Sequence, residues 1–266
     1  MPEVPLPLCS RLPLAVDLAA LLQALARVDS GLWRGHFNTA YHQGDWSGID
    51  LIAAADAHLP LAPGAGAPVQ QQTWQHEPAW HSLRESLGSD LRAARLLRLG
   101  PGARIHEHRD PDLGRPGGCL RLHVPLLSPA GVEFLVDDQQ VPMQPGECWF
   151  LDLSRPHRVD NCSEAERINL VLDCEPTPAL LSLIEQGLEQ TPQLQASRAG
   201  QAFAQFRLLL TARPELAASL QALTEPQAFI EHTRQMGAAA GLYFAEADVR
   251  SAMRQGKQAW NDQWRV

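Results

Sequence analysis

Three side chains with metal-binding donors stand at a spacing that suits a single iron. His108 and Asp110 lie two apart in the run IHEHRD, and His157 ends the run DLSRPH. Two imidazoles and one carboxylate form the facial set that holds non-haem Fe(II) on one side, leaving the other positions open for substrate and oxygen. Ten residues after His157, Arg167 opens the apolar stretch RINLVLD. A buried guanidinium there would grip a dicarboxylate co-substrate through two parallel hydrogen bonds, which a lysine does less well. A His-x-Asp pair alone is a weak signal. The specific feature is the order: His-x-Asp, a Pro-Gly-Glu turn, a strand, a histidine, then the arginine. His106 adds a competing His-x-His pair, which would suit a cupin-type site working without a co-substrate, or would simply face solvent. The carboxylate favours His108 with Asp110, an oxygenase pattern.

Strands must position these groups. Side chains at i and i+2 share a face, so a strand leading from Arg104 can aim His108 and Asp110 at one ion. His157 has to arrive from a different strand end, after ECWFLDL and a Ser-Arg-Pro corner. Alternation in RINLVLD sets Arg167, Asn169 and Val171 on one face, with Ile168, Leu170 and Leu172 on the other. Arg121 and His123 in CLRLHVPLL also share a face. They would contact the carboxylates of co-substrate or substrate, unless that face is an outward polar one. Arg109, Arg115 and Arg155 would suit an acidic or zwitterionic substrate at the mouth, or be ordinary solvated arginines. Trp46 and Trp149 are candidates for a pocket wall, whereas Trp74, Trp80, Trp260 and Trp264 read as packing residues.

Between Trp33 and about Asp173 the texture is that of short strands: GLWRGHF, GIDLIAA, ARLLRLG, LRLHVPLL, VEFLVDD, QVPM, ECWFLDL and RINLVLD. Pro-Gly pairs at 101–102, 116–117 and 145–146 punctuate them as turns. Many short strands with few helices between them point to a sandwich or barrel-like β fold. The stretch 61–68, LAPGAGAP, reads as a mobile loop. Residues 16–29 repeat apolar positions at helical spacing, and after Asp173 the chain becomes Ala/Leu/Gln-rich with the same period. Pro214 and Pro226 fall where first helical turns tolerate them. The expected class is mainly β with helical additions (α+β). The expected organisation is a β domain with its N-terminal helix over 1–176, a helical linker over 177–199 and a small all-α domain over 200–266.

Composition sets outer bounds. The 266 residues suffice for one substantial core and a second small domain. A net charge of −8 argues against nucleic acid, whose phosphates call for a basic face. No apolar stretch is long enough to span a bilayer, and the apolar N-terminus lacks a basic n-region, so it reads as part of the fold and not as a signal peptide. The five cysteines show no C-x-x-C spacing, which suggests neither a disulfide framework nor a zinc site and fits a reducing cytoplasm.

The stretch PGARIHEHRDPDLG…LRLHVPL…PGECWFLDLSRPHRVDN…RINLVLD resembles the aspartyl/asparaginyl β-hydroxylase family, in its bacterial branch related to proline 3-hydroxylase, over roughly 31–175. The resemblance implies a double-stranded β-helix (a cupin-like jelly roll) and a dioxygenase using Fe(II), O₂ and 2-oxoglutarate. By position it implies His108, Asp110 and His157 as iron ligands and Arg167 on the distal carboxylate of 2-oxoglutarate. It also places Arg121 and His123 near that co-substrate. The position at which some members carry a serine that helps bind 2-oxoglutarate falls near Leu97 in this chain. The tail, about 202–253, resembles the helical leader-peptide domain of nitrogen-fixation and nitrile-hydratase types. It would dock a peptide, mediate oligomerisation or cap the barrel. The expected activity is hydroxylation of an amino acid, free or as a side chain in a peptide or protein. The alternatives are a cupin-type metal-dependent isomerase and a non-catalytic metal- or peptide-binding module.

Overall fold

The computed structural model describes residues 6–114 and 118–262, and the chain divides into two compact units, Met1–Leu194 and Gln195–Val266. In chain order the first contains β1 (Cys9–Arg11), α1 (Leu18–Ala26), β2 (Arg34–Gly35), β3 (His42–Gln43), β4 (Trp46–Ala54), β5 (Pro68–Gln70), α2 (Gln72–Gln75), α3 (Pro78–Leu87), β6 (Leu91–Leu99), β7 (Arg104–His108), β8 (Leu120–Leu127), β9 (Val132–Val136), β10 (Gln139–Gln140), β11 (Trp149–Leu151), β12 (His157–Asn161), β13 (Arg167–Cys174) and α4 (Pro178–Gly187).

These strands form two antiparallel sheets. The larger runs β1-β11-β8-β13-β6-β4-β2, with β5 on β4; the smaller runs β10-β9-β12-β7-β3. This is the mixed α+β architecture expected from the sequence, with the double-stranded β-helix that the family resemblance implies. Period-2 alternation divides the larger sheet's residues between two environments. Leu96, Leu122, Val124, Ile168, Leu170 and Leu172 join one apolar cluster with Leu21 of α1, Leu83 of α3 and Leu180 of α4. The opposite face carries Arg95, Leu97, Arg121, His123, Arg167 and Val171, all lining a cavity. A second apolar cluster, including Trp46, Leu99, Phe134, Trp149 and Val159, joins the two sheets beside that cavity.

Several local expectations are revised. Residues 72–87, within the stretch read as strands and turns, form α2 and α3. Trp74 and Trp80 are fully buried there, so packing against the sheet overrides local texture. In GLWRGHF only Arg34–Gly35 is strand, and in QVPM only Gln140 is. His157, after the Ser-Arg-Pro corner, opens β12, a strand not among those expected from the sequence. Capping delimits two of the helices. Asp17 accepts from the Ala20 N–H ahead of α1, and Thr177 accepts from the Leu180 N–H ahead of α4, with Pro178 in the first turn. Helix α4 packs Leu180 and Ile184 into the first unit's core, within the span expected to be a linker.

The second unit carries α5 (Arg198–Ala212), α6 (Pro214–Gln221), α7 (Pro226–Ala239) and α8 (Glu246–Asp262). Phe206, Leu220, Ile230, Phe244 and Val249 form its own small core. Pro214 and Pro226 occupy first turns, as their fixed φ and missing N–H allow. No helix among the described residues is long and apolar enough to cross a membrane.

Candidate metal centre and adjoining cavity

The smaller sheet brings the candidate ligands together. Antiparallel pairing of β7 with β12 sets His157 directly opposite His108. Asp110 follows two residues beyond His108, its backbone N–H donating to the Leu153 carbonyl at 2.8 Å. One donor atom from each of His108, Asp110 and His157 lies within 4.8 Å of the others. His106 stands outside this group, and its side chain is exposed. The His-x-His arrangement is therefore not the one assembled.

Both imidazoles are presented in the form a metal requires. His108 Nδ1 donates to the His106 carbonyl at 2.8 Å, and His157 Nδ1 donates to the Arg155 carbonyl at 3.0 Å. A carbonyl can only accept, so the proton sits on Nδ1 and Nε2 keeps its lone pair. Burial, with His108 close by, pushes the His157 pKa down to about 4, so the ring is a neutral donor at neutral pH. Asp110 Oδ1 lies 3.7 Å from His108 Nε2. Two imidazole nitrogens and one carboxylate oxygen fit Fe(II), whereas structural zinc would call for a closed four-donor set.

A cavity of about 640 Å³ opens beside these three residues. On its β13 wall Arg167 is 4% exposed. Its Nη2 has no hydrogen-bond partner, and the guanidinium lies over the Phe134 ring at 5.6 Å. Burial alone lowers its pKa to about 10. A buried cation with an unused donor is costly unless an anion completes it. On neighbouring β8, His123 Nδ1 lies 3.3 Å from the amide nitrogen of Asn169, which donates to it. That places the proton on His123 Nε2, which is buried and without a partner. Burial, reinforced by the Arg167 charge, holds His123 far below its ordinary pKa and hence neutral.

The remaining wall was only partly foreseeable. Trp46 lines the cavity, but Trp149 packs in the core and donates from Nε1 to Glu147 at 2.8 Å. His36 stacks on Trp46 with ring centroids 3.5 Å apart, and Tyr41 stacks on His108 at 5.1 Å. Burial, with His42 nearby, lowers the His36 pKa to about 4. The aromatic density of HFNTAYH was the available signal for this wall. Leu61, Pro63, Gly64 and Ala65 contribute a further side, so the Gly/Pro-rich loop belongs to the cavity. Arg95 and Asp173 also line it. Asp173 extends the Arg167–Asn169–Val171 face by one more alternation. Of the arginines expected at the mouth, Arg155 pairs with Asp137 and Asp152, and Arg109 donates to the Ser154 carbonyl. Neither lines the cavity, and Arg115, like the Trp264 expected in packing, lies outside the described residues. Nothing is described of the side chain of Trp260.

A double-stranded β-helix with a histidine–aspartate–histidine cluster at its cavity defines a metal-centre jelly roll. The chain belongs to the aspartyl/asparaginyl β-hydroxylase family, whose model matches residues 20–177. It is 34% identical over 89 residues to an L-proline cis-4-hydroxylase of Rhizobium meliloti, a match covering 34% of this chain and 31% of that protein. The chain thus matches less than a third of that relative's length. Among solved structures it is similar to a 2OG-Fe(II) oxygenase family oxidoreductase from Burkholderia pseudomallei, with TM-score 0.42 and 16% identity over 60% of this chain and 78% of that one. It is also similar to a viral collagen prolyl hydroxylase from Paramecium Bursaria Chlorella virus-1, with TM-score 0.42 and 14% identity over 64% and 97%.

Proposed function

We propose that this protein is an Fe(II)- and 2-oxoglutarate-dependent dioxygenase that hydroxylates an amino acid, free or presented in a peptide. The observation that carries this reading is the pairing of an open three-donor cluster with a buried, unpartnered arginine across one cavity. His108, Asp110 and His157 would hold the iron. Arg167 would receive the distal carboxylate of 2-oxoglutarate, and His123 Nε2–H would donate to a second oxygen of it. With 2-oxoglutarate and O₂ bound, the iron would activate O₂, one oxygen atom going to the C–OH of the product and the other to the succinate that remains as the co-substrate loses CO₂.

The protein's own part is positioning. His108 and His157 keep their lone pairs inward because two backbone carbonyls hold their protons. Arg167 lies deep in the wall, so a dicarboxylate enters lengthwise and leaves one end toward the three ligands. The stacked His36 and Trp46 and the 61–65 segment wall the cavity and would bound the space left for the target carbon. Family membership and the name of the proline-hydroxylating relative support an amino-acid substrate. The five free cysteines, three of them buried, suit a reducing compartment such as the cytoplasm.

The test is anaerobic titration of Fe(II)-loaded protein with 2-oxoglutarate, following the weak visible charge-transfer band, then succinate release on admitting oxygen with candidate amino acids. A band that Asp110→Ala abolishes supports the proposal. Tight metal uptake without a band would reject it.

A further inference from the structure

The cavity wall carries a row of alternating charges that ends on the carboxylate of the metal cluster. Asp110 Oδ2 accepts from Arg121 Nη1 at 2.5 Å. Arg121 turns its other edge to Asp173, with Nε on Oδ1 at 2.6 Å and Nη2 on Oδ2 at 2.9 Å. Asp173 Oδ2 also accepts from Arg95 Nη1 at 2.9 Å, and Arg95 Nε stands 3.6 Å from Asp50 Oδ1. Strand register builds this row. Asp50 on β4 is opposite Arg95 on β6, and Asp173 on β13 is opposite Arg121 on β8. Four adjacent strands of the larger sheet therefore reach across to a residue that follows a strand of the smaller one.

We infer that Arg121 is a positioning residue for the metal-binding carboxylate, backed by Asp173, Arg95 and Asp50, and not a ligand of the co-substrate. This rests on the metal centre proposed above. Asp110 lies beyond the end of β7, where backbone bonds to Leu153 and Leu113 fix its main chain but not its carboxylate, and its side chain is 26% exposed. Engaging Oδ2 with Arg121 leaves Oδ1 as the oxygen turned toward His108 Nε2. Only an arginine can do this, because its planar fork spans two carboxylates on different elements, whereas lysine offers one point charge. Arg121 and Arg167, which both line the cavity, differ in the same respect. Arg121 already has two carboxylates, whereas Arg167 has an unused Nη2. An incoming dianion gains most at the second. Asp173 resists protonation: burial raises its pKa, but Arg121 and Arg95 outweigh that and hold it well below the ordinary carboxylate range.

The test uses the full chain and Co(II) alone as the probe, titrated without oxygen and read from its visible d–d bands. 2-Oxoglutarate is then added at saturating Co(II), with Arg167→Met and Asp110→Ala as references. Arg121→Gln should weaken Co(II) binding by about 10- to 100-fold, the usual effect of losing a group that orients a ligand. It should also shift the d–d bands toward those of Asp110→Ala, while 2-oxoglutarate still binds. Arg121→Lys should recover part of the affinity and not the band shape. If Arg121→Gln does not fold by circular dichroism, Asp173→Asn carries the test, with the same shift expected in smaller measure. Unchanged Co(II) affinity and bands, with 2-oxoglutarate binding lost as in Arg167→Met, would overturn the inference and make Arg121 a co-substrate ligand. Failure of the wild type to take up Co(II) would overturn the metal centre itself.

Discussion

Arg167 and Arg121 sit on neighbouring strands, face the same cavity and are surrounded by different charges, so their substitutions should have opposite signatures. Truncating one partner of a buried, hydrogen-bonded charge pair costs about 2–5 kcal/mol, at least about 30-fold in affinity. Arg167→Met should therefore weaken 2-oxoglutarate binding by that factor in equilibrium titration, with metal affinity unchanged. The histidines give a pH expectation for the metal-free protein. His157 and His36 have folded pKa values near 4, and His123 lies far below its ordinary value, against about 6.5 unfolded. Between those limits the unfolded chain binds more protons, so the stability these rings contribute is complete above about pH 6.5 and declines as pH falls toward 4. The slope is up to about 1.4 kcal/mol per pH unit for each buried ring. Thermal unfolding of metal-free protein from pH 7.5 to 5 should show a falling Tm, and His123→Asn should flatten the fall. A flat wild-type profile would contradict the neutral buried rings.

At the scale of elements, the site depends on pieces that never touch it. Helices α2 and α3 seat Trp74 and Trp80 against the outer face of the larger sheet, both fully buried. Trp80→Ala should cost about 3–5 kcal/mol in urea unfolding, as the loss of a large buried aromatic does. Thr177→Ala removes the cap of α4 together with the hydroxyl's bond to the Gly88 carbonyl, and should cost about 1–2 kcal/mol by the same measurement. A comparable loss from both would mean that α3 contributes no more than a cap. The pairing of β7 with β12 is the element-level cause of the candidate metal centre, since it sets two histidines 49 positions apart in the sequence face to face. The strand that His157 opens was not legible in the sequence, because five residues following Ser-Arg-Pro offer too few alternating positions to declare themselves.

Over the whole molecule, the three candidate ligands and the cavity lie in Met1–Leu194, while the core of Gln195–Val266 is built from residues of that unit alone. A ligand that binds only the folded state raises the melting temperature of the unit holding its site. Differential scanning calorimetry should show two transitions, with Co(II) raising one and leaving the other in place. One transition moving as a whole would show the two units to be a single cooperative structure.

The sequence alone determined the ligand types, their order and the arginine that follows them, because spacing along a strand decides which side chains can share a face. It also determined the β-then-helical progression through hydrophobic period, and the helix starts at Pro214 and Pro226 through backbone chemistry. Tertiary structure alone decided which groups meet. Pairing of distant strands, not local pattern, set His157 against His108, filled Arg121 with Asp110 and Asp173, and left Arg167 unpartnered. It also brought His36 and the 61–65 loop to the cavity. Such contacts depend on register and on which sheet face is buried, and no window of sequence records which charge a given arginine will meet.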